Sequence, residues 1–227
     1  MTLQAVERET GADPRWSVVW LHGLGADGHD FAPIVPELLR PGWPALRFVF
    51  PHAPVRPVTV NGGVPMRAWY DIAALGDGGF DPAARADHAG LAQSVAEVEA
   101  LLAREAARGV PPERTLLAGF SQGGAVALAA ALARATPLAG VVALSTYLPL
   151  DAEAARRALR PGAPAQPVFM AHGSLDPVVP RAAGQAAADA LHGFGFAVEW
   201  REYPMPHAVC AEEIRDLGEW MSTRFAG

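Results

Sequence analysis

The sequence predicts an α/β fold, a mostly parallel central sheet with helices on both faces. Short apolar runs closed by Gly or Pro alternate with longer segments of helical periodicity. Those runs are apolar at nearly every position, as strands buried on both sides require. Of the 227 residues, 51% are hydrophobic and 19% charged, enough apolar material for a sizeable core. One domain spanning 1–227 suits this length, and no internal repeat or low-complexity linker divides it.

Trp16–Leu21 reads as a buried strand ended by His22-Gly23. Phe31–Leu39 reads as a short helix, and Leu46–Phe50 as a strand stopped by Pro51. Residues 54–79, rich in Gly and Pro, read as a long loop with a short strand at most; ordered loops of that length are often functional. Leu91, Val95, Val98 and Leu102 then recur on one face of an amphipathic helix, which Gly109, Pro111 and Pro112 follow. Thr115–Ala118 is expected as a strand and Gly123–Arg134 as an Ala-rich helix. Leu138–Leu144, Val168–Ala171 and Ala197–Tyr203 are the later strands. Between and after them lie helices over Asp151–Leu159, Arg181–Leu191 and Ala211–Arg224.

Gly119-Phe120-Ser121-Gln122-Gly123 matches G-x-S-x-G between a predicted strand and a predicted helix, the context of a nucleophile elbow. With 23 Gly and 6 Ser in the chain, about 0.06 such matches are expected by chance. A sharp turn there holds the serine in a strained conformation, and the flanking glycines remove Cβ atoms that would collide with neighbouring elements.

A serine hydroxyl is a poor nucleophile near neutral pH and needs a base, itself oriented by an acid. After an elbow of this kind the acid comes next in the chain and the histidine last. Three histidines follow Ser121. His192 sits at a helix end, and His172 precedes the good acid candidates. His207, in a Pro-rich loop after the last predicted strand, is the base. Asp176, in the loop after Val168–Ala171, is the acid. Its rivals fit worse: Glu199 and Glu202 lie within a strand, and Asp151 reads as a helix N-cap.

Charge that develops on an acyl oxygen needs fixed donors. The backbone N–H groups of Gln122 and of Leu24, in the glycine-rich stretch His22-Gly23-Leu24-Gly25, are the candidates. Asp27, His29 and Asp30 lie in the same stretch, but they are near neighbours in a glycine-rich loop with nothing to complete a metal site, so no metal is expected. Cys210 reads as a small buried side chain starting the last helix.

With these pieces placed, the chain resembles the phospholipase/carboxylesterase family of α/β-hydrolases, which includes acyl-protein thioesterases. The resemblance runs from about Trp16 to Trp220. It rests on His22-Gly23-Leu24-Gly25, Trp69-Tyr70-Asp71, Gly119 to Gly124, His172-Gly173 with Asp176-Pro177-Val178-Val179, and the segment around His207. It implies a minimal α/β-hydrolase fold without a large lid domain, an oxyanion hole at Leu24 and Gln122, and an acyl pocket lined by residues 65–72. Val178 is expected to touch substrate, and Trp69 either does so or is plain core packing. A homodimer is implied as well. Pro206 and Ala208 flank His207 where many relatives have Gly and Ser, a departure that bears on substrate preference.

The function expected is hydrolysis of a small ester or acyl thioester, with short to medium acyl chains, through an acyl-enzyme on Ser121, without a cofactor. The same triad would serve a peptidase or lactonase. Outside enzymes the alternative is a binding or scaffold protein that kept the fold. Net charge is −6 and no basic stripe is present, which argues against nucleic acid. No window approaches the ~18 apolar residues of a membrane span. Residues 1–15 lack the apolar stretch of a secretory signal, and the single cysteine fits a reducing compartment; the cytoplasm is expected.

Overall fold

A computed structural model describes residues 3–73 and 80–225. In chain order its strands are β1 (Ala5–Glu9), β2 (Trp16–Leu21), β3 (Leu46–Pro51), β4 (Val55–Val58), β5 (Val64–Arg67), β6 (Thr115–Phe120), β7 (Gly140–Leu144), β8 (Val168–Gly173) and β9 (Val198–Tyr203). The helices are α1 (Val35–Leu38), α2 (Pro82–Arg85), α3 (His88–Ala107), α4 (Gln122–Ala133), α5 (Ala152–Ala158), α6 (Arg181–Gly193) and α7 (Ala211–Phe225). The main sheet runs β1-β3-β2-β6-β7-β8-β9, and every pairing is parallel except β1 with β3.

Alternate residues of each parallel strand feed two cores, as a period of two dictates. Val19, Leu21, Leu117, Val141 and Met170 pack with α3, α4 and α6 on one face. Val18, Trp20, Leu116, Val142 and Phe169 pack with α1 and α7 on the other. The expected strands and helices appear within a few residues of their predicted ends, and Asp151 caps α5 by accepting from the Ala154 N–H at 2.7 Å.

Three details differ from the sequence reading. β1 has no counterpart in it: charged residues fill three of its five positions, so the strand carries little apolar signal. Its place is fixed by pairing with β3 and by Glu7, which accepts at 2.9 Å from Arg104 on α3 and from Arg108, the residue just after that helix. The expected loop over 54–79 holds a hairpin of β4 and β5, and α2 follows the loop; residues 74–79 lie outside the described ones. Cys210 stands just before α7 and is half-buried rather than buried.

Candidate active site

Because β6, β8 and β9 are parallel, their C-terminal ends share one edge of the sheet, where open α/β sheets place their sites. Ser121 follows β6 directly, while Asp176 and His207 lie in the loops after β8 and β9. The turn at Ser121 has φ 53° and ψ −121°, a strained backbone for a residue with a side chain. It is held by the Ser121 N–H donating to the Leu144 carbonyl at 2.9 Å and by the Thr146 hydroxyl donating to the Ser121 carbonyl at 2.6 Å. A Cβ at Gly119 would strike the Gly123 backbone, and one at Gly123 would strike the Leu21 and His22 carbonyls. Both glycines are therefore required by close approach.

The structure brings Ser121, His207 and Asp176 together. His207 Nε2 lies 2.9 Å from Ser121 Oγ, and His207 Nδ1 lies 2.6 Å from Asp176 Oδ2. A carboxylate only accepts, so Nδ1 carries the proton and Nε2 offers its lone pair to the serine hydroxyl. The Asp176 side chain is fully buried, and its Oδ1 accepts from the Val178 and Val179 N–H groups at 2.8 and 2.9 Å. Beneath it, His172 donates from Nε2 to the Val179 carbonyl at 2.9 Å, and burial lowers its basicity. The Phe120 ring packs on His207 with centroids 4.8 Å apart.

Leu24, Gln122, Ser121 and His207 line one cavity of about 380 Å³, a size typical of small-molecule sites. In the loop after β2, the Gly25 and Ala26 N–H groups donate to the Arg67 and Gly23 carbonyls, whereas the Leu24 N–H makes no hydrogen bond among the described residues. The Gln122 N–H opens α4 and so has no intrahelical acceptor. Two such backbone donors on the wall of one cavity suit an acyl oxygen that gains charge.

Val178 lines the cavity and is exposed. Trp69 is corrected: it is fully buried and does not reach the cavity. Its indole N–H donates to the His22 carbonyl at 2.8 Å and its backbone N–H to Gln122 Oε1 at 2.9 Å. Gln122 Nε2 completes the bridge by donating to the Tyr70 carbonyl at 2.7 Å. Of the 65–72 segment, Tyr70 and Ile72 form cavity wall.

The sequence assigns no role to Tyr147, Phe80 and Arg85 and no positioning role to His22, and it places Tyr70 only within the pocket segment. The signal for Tyr147 is its position just past the C-terminal end of β7. His22 holds the loop that carries Leu24: its Nδ1–H donates to the Gly23 carbonyl at 2.7 Å and its Nε2 accepts from the Ala53 N–H at 3.0 Å. Burial pushes its pKa down to about 4, so the ring is neutral and can accept. His52 joins Asp27 and His29 in a group that the sequence does not assemble. The Gly28 N–H donates to His52 Nδ1 at 3.0 Å, which puts the ring proton on Nε2 and leaves His52 no lone pair for an ion.

The phospholipase/carboxylesterase family model matches residues 4–225. An acyl-protein thioesterase 1 of Mycosarcoma maydis is 40% identical, with 95% of this chain and 94% of that protein aligned. Among solved structures, SOBER1 of Arabidopsis thaliana superposes with a TM-score of 0.84 at 31% identity, over 92% of this chain and 99% of that one. Acyl-protein thioesterase 2 of Zea mays superposes with a TM-score of 0.82 at 29% identity, over 98% of this chain and all of the maize chain. An elbow serine after β6, an α/β-hydrolase sheet and a family match over nearly its whole length lead to one assignment: the chain belongs to the phospholipase/carboxylesterase family.

Proposed function

We propose that this protein is a serine hydrolase of carboxylic esters and acyl thioesters that works through an acyl-enzyme on Ser121. The observation that carries the reading is the pair of hydrogen bonds, 2.9 and 2.6 Å, that join Ser121, His207 and Asp176. Ser121 Oγ attacks the acyl carbon while His207 Nε2 takes its proton. Asp176 holds the ring and stabilises the imidazolium. The Leu24 and Gln122 N–H groups receive the oxyanion. His207 then returns the proton to the departing alcohol or thiol, and water activated by the same ring releases the acid. The relatives, acyl-protein thioesterases among them, support including thioesters. A cavity of about 380 Å³ suits short to medium acyl chains.

The test is hydrolysis of nitrophenyl esters from two to twelve carbons by wild type and Ser121→Ala. Loss of the nucleophile costs about 10⁶ in kcat where it has been measured in a serine protease, so residual contamination is distinguishable. Equal activity of the two proteins would remove Ser121 from the mechanism. The lone Cys210 supports a reducing, cytoplasmic setting. Light scattering of the purified chain decides whether it forms the homodimer that the sequence resemblance implies. No helix among the described residues is long and apolar enough to cross a membrane.

A further inference from the structure

One part of the cavity is not used by the acyl-transfer steps. Tyr70 and Tyr147 are buried there, and their hydroxyls share a hydrogen bond of 2.8 Å. Two phenols carry two protons, and that bond uses one. Among the described residues nothing accepts the other. A buried donor without an acceptor is costly unless something else supplies one.

Arg85, the last residue of α2, lines the same cavity. Its guanidinium carbon stands 5.2 Å from the centroid of the Phe80 ring, and Phe80 packs edge-on against Tyr147 with centroids 5.5 Å apart. Arg85, Phe80, Tyr147 and Tyr70 thus form one connected wall. No carboxylate among the described residues pairs with Arg85, and its Nε is shut off from solvent without a hydrogen bond. Its charge acts on both phenols, against the upward push that burial gives their ionisation. Asp30, the other charged residue of the lining, belongs to a different side: a neighbouring depression joins it to Phe120 and His207. Ile72, Val60 and Ala86 complete a lining that is otherwise largely apolar.

A guanidinium on the same cavity wall as a spare phenol proton offers a planar fork and a third donor, the donor set that fits a carboxylate. We propose that the cavity takes an acyl chain whose far end carries a carboxylate, held by Arg85 and the Tyr70–Tyr147 pair, so that half-esters and half-thioesters of dicarboxylic acids are preferred substrates. This rests on the acyl-enzyme reading above. The chemistry is unchanged: Ser121 Oγ bonds the acyl carbon as the bond to the alcohol or thiol breaks. His207 passes the serine proton to that leaving group, and water frees the dicarboxylate.

The experiment compares nitrophenyl half-esters of dicarboxylic acids with nitrophenyl alkanoates of matched length, using wild type and Arg85→Met, which keeps an apolar stem. Wild type should favour the half-ester at one chain length or more. In Arg85→Met the ratio of kcat/KM, half-ester to alkanoate, should fall about 10- to 100-fold, the scale of a hydrogen-bonded charge pair. A wild-type preference for the alkanoate at every length, or a ratio that Arg85→Met leaves unchanged, would overturn the proposal. Calorimetry on Ser121→Ala with free glutarate, adipate and suberate against the matching monocarboxylates gives a readout that needs no turnover. Tighter binding of the dicarboxylates supports the anion site even if Ser121 proves not to be the nucleophile, and equal binding refutes it.

Discussion

Trp69→Phe separates two roles, pocket wall and core packing, that the sequence leaves open for this side chain. In the structure its indole N–H donates at 2.8 Å to the carbonyl of His22, two residues before Leu24. Phenylalanine keeps a ring in place but strands that buried carbonyl, which costs roughly 1–3 kcal/mol. The void left by the smaller ring adds on the order of 1 kcal/mol. Urea denaturation should therefore show a loss of about 2–4 kcal/mol. Complete loss of one oxyanion donor costs ~10²–10³ in rate, and a loosened Leu24 N–H is a partial loss. We expect kcat/KM to fall about tenfold and by no more than ~10². The fall should be the same for every ester from two to twelve carbons, because the oxyanion is common to all of them. A shift of the chain-length optimum with kcat preserved would refute the reasoning and return Trp69 to the pocket.

Asp176→Asn should lower kcat by about 10⁴ while the fold survives, since an amide facing His207 Nδ1 favours the wrong tautomer; a loss under about tenfold would count against the assignment. Gly123→Ala drives a Cβ into the Leu21 and His22 carbonyls and should cost at least about 3 kcal/mol, read as a lowered Tm or failure to accumulate folded protein. Glu213, buried in the first turn of α7, has its carboxyl pushed up by burial from 4.5 to about 8. A folded-state pKa raised in this way gives stability that is full below about 4.5 and is lost progressively as pH rises to about 8, on the order of 5 kcal/mol in all. Glu213→Gln should remove that slope, so its stability relative to wild type should climb across this window and level off above it. Parallel curves for the two proteins would show that Glu213 is ionised in the fold.

The hydrogen-bonded trio of Ser121, His207 and Asp176 is legible because parallel topology sends each residue to the same sheet edge. A serine in G-x-S-x-G after one strand, an aspartate after a later strand and a histidine after the last follow from chain order alone. Other features depend on tertiary contact. Spacing within the loop after β2 joins Asp27 to His29 but cannot bring in His52, which reaches them only because β3 runs beside β2 and ends next to that loop. Tyr70 and Tyr147 lie far apart in the chain, and nothing local says that their hydroxyls meet. Trp69 and Tyr70 are adjacent aromatics, and the sequence does not say which of them faces the cavity. β1 is set by its partner strand and by ion pairs to Arg104 on α3 and Arg108 just after it, since its own residues carry too little alternating apolar character to announce a strand.

The supports of the site also explain why its donors stay free. Gln122 engages the backbone of Trp69 and Tyr70 with its side chain, Trp69 engages His22 with its indole, and His22 commits both ring nitrogens to Gly23 and Ala53. Each bond satisfies a buried polar group that would otherwise compete for the Leu24 or Gln122 N–H, or leave its loop loose. The elbow, the loop after β2 and the segment that carries Tyr70 are thereby tied to one another. Donors fixed in advance need no rearrangement when charge forms on the acyl oxygen, which is where such sites gain most of their rate. The same tie fixes one wall of the cavity relative to Ser121. A carboxylate held at Tyr70, Tyr147 and Arg85 would therefore set the distance to the scissile bond, and chain length would act as a ruler on kcat as well as on KM.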